Sequence, residues 1–263
     1  MKLNYYIYGF ILIIFTSCKD SNKKLTQESN HHLTEATHWS YSGETAPEHW
    51  AELEQGSDCD GHNQSPINII TKDVVETPTK NHLNILYSPQ TFIKKVINNG
   101  HTIQFDFESG DSISYLGDTH YLKQIHFHEP SEHKINGIIY PIETHLVHLN
   151  KSGNITVLSI LGEEGEESQV FEFLESFLPL KNGESKDIHK NIDLSSFFLN
   201  EKHFYSYTGS LTTPPCWERV NWVVFKEPII LSVDEVEKLR NNMPINNYRN
   251  EQPLNNRIVT FNY

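Results

Sequence analysis

Residues 124–128 read Gln-Ile-His-Phe-His and have the alternating pattern of a β-strand. Successive side chains of a strand point to opposite faces, so His126 and His128 are predicted to share one face and the apolar residues the other. A second alternating stretch, residues 142–148, can bring His145 beside this pair from a neighbouring strand. The sequence therefore predicts a β-sheet on which three histidines converge.

Three converging imidazoles are the donor set of a catalytic zinc site. Three neutral histidines leave the fourth corner of a zinc tetrahedron open to water, whereas structural zinc sites are closed by four protein ligands. Two polar neighbours can orient the rings, because Glu143 can accept the second N–H of His145 and Gln124 that of His126. His148 falls on the opposite strand face and is interpreted as structural.

These histidines also have a simpler explanation. The chain contains 15 histidines, and a His-x-His pair can lie on a sheet surface without any metal. A metal-free role is therefore the alternative for each candidate taken alone. The acidic and amide neighbours on the same strands favour zinc.

The remainder of the chain alternates short β-like runs with turns. The runs are rich in apolar and β-branched residues and lie at 85–87, 95–98, 102–107, 125–128, 144–149, 155–161 and 220–225. Helical spacing is confined to 168–177 and to 232–241, where Ser232 and Glu235 form a capping-box signal. This pattern predicts a mainly β domain with a few short helices.

Composition narrows the class of protein. Hydrophobic residues make up 37% and charged residues 21% of the 263, which provides a core and excludes wholesale disorder. The formal net charge is −13, from 21 Lys+Arg against 34 Asp+Glu. Because nucleic-acid binding requires clustered cations that neutralise several phosphates, no nucleic-acid partner is expected.

The N-terminus carries targeting information. Lys2 is followed by an apolar run that is too short for a membrane span and typical of a signal peptide. The run ends in Phe15-Thr16-Ser17-Cys18, which resembles the lipobox of bacterial lipoproteins, whose cysteine is lipidated. We therefore predict a signal peptide at 1–17, a lipidated Cys18, a flexible tether at 18–37 and one folded domain at 38–263.

This N-terminus predicts an exported protein, held in the cell envelope by lipid on the periplasmic face or the cell surface. An ordinary signal peptide cut nearby, or a short N-terminal anchor, is the alternative. Three cysteines in an exported chain leave one unpaired, and a lipidated Cys18 would account for it. Cys59 and Cys216 would then be free to form a disulfide in an oxidising compartment.

Further motifs make a family resemblance specific from about His38 to the C-terminus. The chain resembles the alpha-class carbonic anhydrases. In chain order the motifs are Trp39-Ser-Tyr41, Pro47-Glu-His-Trp50, Gln64-Ser-Pro-Ile-Asn68, Asn98-Asn-Gly-His101, Gln124-Ile-His-Phe-His128, Pro130-Ser-Glu-His133, Glu143-Thr-His-Leu-Val-His148, Gly209-Ser-Leu-Thr-Thr-Pro-Pro-Cys216, Trp222, Arg249 and Gln252-Pro-Leu-Asn255. Ile125 and Tyr248 replace the aromatic residues that are more usual in the family at these two positions.

The resemblance implies a fold and a metal. The fold is mainly β (α+β), a single domain with a large, mostly antiparallel, twisted central sheet, short peripheral helices and zinc in a funnel-shaped cleft. The implied zinc ligands are His126, His128 and His145, with Gln124 and Glu143 as their hydrogen-bond partners. Cis peptide bonds are expected at Ser65-Pro66 and Pro214-Pro215.

The implied reaction is reversible hydration of carbon dioxide to bicarbonate and a proton by a zinc-bound hydroxide. Zinc lowers the pKa of bound water from ~15.7 to ~7, an effect for which carbonic anhydrases are the standard example. The resemblance gives Thr212 the role of accepting a hydrogen bond from the hydroxide while donating its own proton to Glu132. Taken alone, Thr212 and Thr213 are an ordinary threonine-rich turn.

Other residues acquire roles through the same resemblance. The carbon dioxide pocket would be lined by Val147, Val157 and Leu211, together with Thr213. These apolar residues could equally serve the core. His101 would be the proton shuttle, since an imidazole with a pKa near ~6.5 can take up and release a proton at neutral pH.

Two other classes of protein remain as alternatives. Carbonic-anhydrase-like domains that lack the zinc ligands can act as noncatalytic binding modules, but all three histidines, Glu132 and Thr212 are present here. An extracellular zinc-binding or storage protein would explain the histidines but not the pair of Thr212 and Glu132. Membrane contact is expected through the N-terminal lipid only, and the sequence leaves the oligomeric state open.

Overall fold

The computed structural model describes residues 38–53, 56–77, 83–198 and 203–263. The strands are β1 (Asn68–Ile69), β2 (Val75–Thr77), β3 (Asn84–Leu86), β4 (Thr91–Asn98), β5 (Ile103–Phe107), β6 (Ser112–Tyr115), β7 (Asp118–His128), β8 (Lys134–Ile135), β9 (Ile142–Leu149), β10 (Ile155–Glu164), β11 (Ser185–Ile192), β12 (Phe204–Ser210), β13 (Glu218–Phe225), β14 (Ile229–Leu231) and β15 (Thr260–Asn262). The helices are α1 (Trp50–Leu53), α2 (Gln169–Glu175) and α3 (Val233–Arg240), with 3-10 turns at Gly43–Thr45, Pro47–His49, Thr71–Asp73 and Ser195–Phe197.

One large sheet organises the domain, and its main path runs β11-β4-β5-β7-β9-β10-β13-β12-β15-β2. Neighbouring strands along this path are mostly antiparallel, with parallel pairs between β10 and β13 and between β15 and β2. A separate parallel pair joins β1 to β8. The predicted mainly β fold, with a mostly antiparallel central sheet, is confirmed.

The register of the central strands sets the positions of the histidines. In the antiparallel β7–β9 pair, His126 lies directly opposite His145, and His128 lies opposite Glu143. In the next pair, β9–β10, His145 lies opposite Ser159. Directly opposed residues on antiparallel strands point to the same sheet face with their Cβ atoms about 5 Å apart. The polar side chains therefore gather at the centre of the sheet.

The opposite face of the same strands is apolar and holds the main core. Ile125 and Phe127 are fully buried there. They belong to a cluster that includes Phe171 of α2 and Leu239 of α3, so both helices pack against the face away from the histidines. Burial of such side chains contributes about 1.5–3 kcal/mol each, which makes this face the principal source of stability.

Both longer helices begin at a serine cap, of which the one at Ser232 was predicted. The Ser168 side chain accepts a hydrogen bond from the third residue of α2, and the Ser232 side chain does the same at α3. Glu235 completes the capping box at α3, and it also accepts the backbone N–H of Ser168 at 2.9 Å. One carboxylate therefore links the starts of both helices.

Other local predictions can be compared with the structure. The bonds Ser65-Pro66 and Pro214-Pro215 are cis, as predicted, and so are Glu129-Pro130 and Leu178-Pro179. Strand β7 begins at Asp118, well before the predicted run at 125–128. Within the described part of the chain, no helix has the length and apolar character needed to cross a membrane.

Candidate metal centre

Three imidazole rings meet on the polar face of β7 and β9. A ring nitrogen of His126, one of His128 and one of His145 all lie within 4.8 Å of one another. The His128 and His145 side chains are buried, and that of His126 is partly exposed. Solvent can therefore reach the three rings from the side of His126.

The hydrogen bonds of two rings define their protonation. The Gln124 Oε1 atom can only accept, so His126 donates to it through Nδ1–H at 2.8 Å and leaves a lone pair on Nε2. His145 donates through Nε2–H to Glu143 Oε1 at 2.7 Å and leaves a lone pair on Nδ1. These two lone pairs face each other, because His126 Nε2 lies 3.2 Å from His145 Nδ1.

The third ring has an unsatisfied nitrogen. His128 donates through Nδ1–H to the backbone oxygen of Asn247 at 2.6 Å. Its Nε2 atom is buried and has no hydrogen-bond partner among the described residues. A buried lone pair without a partner costs free energy, and a cation at the centre of the three rings would satisfy all three at once. The donor set therefore fits a divalent metal ion such as zinc.

Burial keeps these rings neutral, which is the state in which imidazole binds metal. Removal from water lowers the pKa of His128 to about 4 and holds the pKa of His126 well below its ordinary value. For His126, the neighbouring rings of His145 and His128 lower the pKa further. No proton has to be displaced from these nitrogens at neutral pH.

Glu143 is the most densely hydrogen-bonded side chain of the site. Its Oε1 accepts from the ring N–H of His145 and of His133, both at 2.7 Å, and from the Ser159 hydroxyl at 2.6 Å. Its Oε2 accepts the backbone N–H groups of Glu132 at 2.8 Å and His133 at 2.7 Å. Burial would raise the pKa of Glu143, but the histidines and these donors hold it well below its ordinary value.

A second group, His133 with Glu143 and His145, is also close enough to suggest a metal. Its atoms are already used, since His133 donates to Glu143 through Nδ1 and accepts from the Tyr207 hydroxyl through Nε2 at 2.7 Å. The Tyr207 hydroxyl in turn contacts Ser65 Oγ at 2.8 Å. This group is a closed hydrogen-bond network that supports the ligand His145.

Glu132 lies beside the three rings and is fully buried. The backbone N–H of Arg249 donates to its Oε1 at 2.9 Å, and its Oε2 lies 3.5 Å from His128 Nε2. Burial is the largest influence and raises the pKa of Glu132 to about 7, while a hydrogen bond with the Thr212 side chain lowers it. The structure thus brings Glu132 and Thr212 together.

An apolar wall adjoins the rings. Val147 of β9 lies directly opposite Val157 of β10, both are buried, and Leu211 packs against the same cluster. Trp222 of β13 pairs with Val157 and lies with its ring centroid 4.9 Å from that of His145. Thr213 is half-buried in the loop that follows Leu211.

His101 occupies the loop between β4 and β5. Its ring stacks on Trp39 at a centroid distance of 3.7 Å, and its Nε2 lies 2.9 Å from His38 Nε2. Burial, together with the neighbouring His38, lowers the pKa of His101 to about 4. The Asn99 side chain accepts the backbone N–H of His101 at 2.9 Å and shapes the turn.

The predicted disulfide is present. Cys59 and Cys216 are bonded at an S–S distance of 2.04 Å across a sequence separation of 157. The bond packs against Trp50 and anchors the far end of the loop that carries Thr212. Cys18, the signal segment 1–17 and the tether 18–37 lie outside the described residues.

Several residues of the site were not anticipated. Ser159, Asn247 and the backbone of Arg249 each contact a predicted site residue from a distant part of the chain. A serine inside the apolar run 155–161 is a weak signal for the first. Arg249 lies in a quoted motif, but nothing in that motif indicates which residue its N–H contacts.

A mainly β fold that brings three neutral imidazoles together fits a metalloenzyme whose ion, such as zinc, would be held by three protein ligands. Similarity to known proteins identifies the family. The family described as eukaryotic-type carbonic anhydrase matches residues 45–263, and the chain belongs to this alpha-class family. It is an enzyme that uses zinc to hydrate carbon dioxide reversibly to bicarbonate and a proton.

Individual relatives agree with this assignment. A carbonic anhydrase of Klebsiella pneumoniae is 39% identical over 233 residues, covering 85% of this chain and 91% of the relative. One of Neisseria gonorrhoeae is 37% identical over 226 residues, covering 85% and 87%. The solved alpha-carbonic anhydrase of Thermovibrio ammonificans, in complex with the inhibitor sulfanilamide, is 42% identical with a TM-score of 0.81, covering 85% of this chain and 98% of that one.

Proposed function

We propose that His126, His128 and His145 hold the catalytic zinc ion of this carbonic anhydrase. The proposal depends on one observation: His126 Nε2 and His145 Nδ1 each present a lone pair to the other at a distance of 3.2 Å. Two facing lone pairs repel unless a cation or a proton lies between them, and burial disfavours the proton. Zinc, when bound, supplies a Lewis acid that makes water a nucleophile at neutral pH.

The chain's own residues would orient that nucleophile. Glu132 is an acceptor when ionised, and it would accept a hydrogen bond from the hydroxyl of Thr212. The oxygen of Thr212 is then left to accept a hydrogen bond from the attacking hydroxide. The backbone N–H of Arg249 supports this arrangement by donating to Glu132 Oε1 at 2.9 Å.

The apolar wall suits a small nonpolar substrate. We assign Val147, Val157 and Leu211 to the carbon dioxide pocket because they form one apolar cluster with Trp222, whose ring lies 4.9 Å from that of His145, and we add the uncharged Thr213 from the loop after Leu211. Bicarbonate, the charged product, would be poorly held there, which favours its release.

His101 would carry the proton away. In its stacked position on Trp39 the ring has a pKa of about 4, which favours release of a proton to solvent but opposes its uptake from the site, so the shuttle role requires the ring to leave this stacked position. Asn99 holds the backbone of this turn.

The decisive experiment combines metal analysis with carbon dioxide hydration. We expect one zinc ion per chain, loss of activity on chelation, recovery with added zinc, and inhibition by sulfanilamide. The His145→Ala variant should bind little zinc and show little activity. Zinc-loaded protein without hydration activity would instead support a binding module, and loose binding of several ions would support a storage protein.

The N-terminal features extend the proposal to the cell. A signal peptide at 1–17, lipid on Cys18 and a tether at 18–37 would hold the domain 38–263 in the cell envelope, on the periplasmic face or the cell surface. The supporting observations are the apolar run, the lipobox-like ending and the disulfide, which suits an oxidising compartment. Mass spectrometry of the mature N-terminus tests this, and an unmodified cysteine or a peptide that begins before it would refute lipidation.

A further inference from the structure

One buried amide lies between the metal centre and the His101 turn. The Asn247 side chain is completely buried, and its Nδ2 donates to the backbone oxygens of His101 at 3.0 Å and Phe127 at 2.9 Å. Its Oδ1 accepts the backbone N–H of Glu129 at 2.8 Å. Its own backbone oxygen accepts the ring N–H of His128 at 2.6 Å. Every polar atom on the side chain is used.

These bonds connect parts of the chain that are far apart in sequence. Asn247 is 119 residues from His128 and 146 residues from His101. The Thr102 hydroxyl also links the His101 turn to β7, through the backbone of Phe127 at 2.6 Å, but this second link does not reach a metal ligand. Among the described residues, Asn247 alone hydrogen-bonds to both the ring of His128 and the backbone of His101.

We infer that Asn247 is a positioning residue that sets the proton-shuttle turn relative to the metal centre. Its amide holds the turn and the strand at one separation, and its carbonyl fixes the ring of His128 in the orientation that presents Nε2. The inference rests on the shuttle role proposed for His101. An asparagine suits this position because one side chain supplies two donors and one acceptor in a plane.

The test replaces the two donors without changing the shape. In Asn247→Asp, a carboxylate oxygen replaces the NH2 group and faces the backbone oxygens of His101 and Phe127, to which it cannot donate. The other carboxylate oxygen can still accept the backbone N–H of Glu129. The matched control is Asn262→Asp, since Asn262 is equally buried and donates to the backbone of Phe204 in the sheet. Should Asn247→Asp fail to fold, Asn247→Ser adds no charge and removes the same double contact.

Three quantities are measured: kcat and kcat/KM of the zinc-loaded enzymes, and the rate at which each enzyme releases zinc to a chelator. We expect kcat in weak buffer to fall by about tenfold or more for Asn247→Asp, because both amide hydrogen bonds to backbone oxygens are lost, with kcat/KM nearly unchanged. Added imidazole should restore part of kcat. The backbone carbonyl that bonds His128 remains in the variant, but without the amide bonds it would be held less firmly, so zinc transfer to a chelator should be about tenfold faster. Asn262→Asp should change neither.

The outcomes separate this inference from the shuttle proposal. Equal behaviour of Asn247→Asp and Asn262→Asp in either the kcat to kcat/KM ratio or zinc release would overturn the role of Asn247. His101→Ala tests the shuttle by itself, and an unchanged kcat in weak buffer would remove that role. If His101→Ala lowers kcat but Asn247→Asp keeps the wild-type ratio of kcat to kcat/KM, the shuttle role of His101 stands and only the positioning role of Asn247 is refuted.

Discussion

The Ser159→Ala variant offers a direct test of how the metal centre is supported. Ser159 is completely buried, and its hydroxyl donates to Glu143 Oε1 at 2.6 Å. The same oxygen also accepts from His145 and His133. Alanine removes one donor from a buried carboxylate and leaves only a very small cavity, so the change isolates one hydrogen bond.

The magnitude follows from the charge on the acceptor. A hydrogen bond to an ionised group contributes about 1.5–3 kcal/mol to the free energy of unfolding, and we expect the lower part of that range because two other donors remain on Oε1. For a domain of this size, a loss of about 2 kcal/mol lowers the Tm by ~4–8 °C. Glu143 would also orient His145 less firmly, so zinc affinity should fall about tenfold.

The assay compares Ser159→Ala with Ser206→Ala. The Ser206 hydroxyl is buried as well, but its partners are the neutral groups Thr260 Oγ1 at 2.7 Å and Asn262 Nδ2 at 3.0 Å, far from the metal centre. Urea unfolding of the zinc-free proteins gives the free energies, and competition with a chelator gives the affinities. We expect Ser206→Ala to lose about 1 kcal/mol and to bind zinc normally. A Ser159→Ala protein with unchanged stability and zinc affinity would refute the reasoning.

Three further predictions concern acid, reduction and metal removal. Burial lowers the pKa of His148 from 6.5 to about 3, so only the unfolded chain gains a proton between these values and stability should fall as the pH drops from 6.5 towards 3. Urea titrations at several pH values should show a shallower fall for His148→Gln, and equal slopes would contradict this. Replacing Cys59 and Cys216 by serine frees a loop of 157 residues and should cost at most about 4–5 kcal/mol, measured by urea unfolding, with no loss counting against a structural role. Chelation of zinc should lower the Tm measured by calorimetry, because zinc binds the folded state, and a Tm independent of zinc would argue against a preformed site.

The strand pattern was sufficient to predict that the three histidines converge. Alternation at 124–128 and 142–148 requires His126 and His128 to share a face and allows His145 to join them, because the side-chain period of a strand is two residues. The cap of α3 at Ser232 was equally predictable, since capping depends on residues within one turn. In each case the interaction is local in sequence.

Strand β11 illustrates what local patterns miss. Its residues, Ser185–Ile192, are mostly polar and exposed, and it pairs with β4 at the edge of the sheet. Only Ile188 and Ile192 pack against the core, which is too little apolar alternation to predict a strand, so its existence depends on the hydrogen bonds that β4 offers.

By itself, the sequence determined the β class, the three histidines, the capped helices and the cysteines available for pairing. Only the tertiary structure decided which nitrogen of each histidine carries the lone pair, because that depends on partners such as the Asn247 carbonyl, 119 residues from His128. It also decided that Ser159 faces Glu143, through the register of β9 and β10. The physical reason is that hydrogen bonds between distant segments depend on how strands are paired, and strand pairing is a property of the whole sheet.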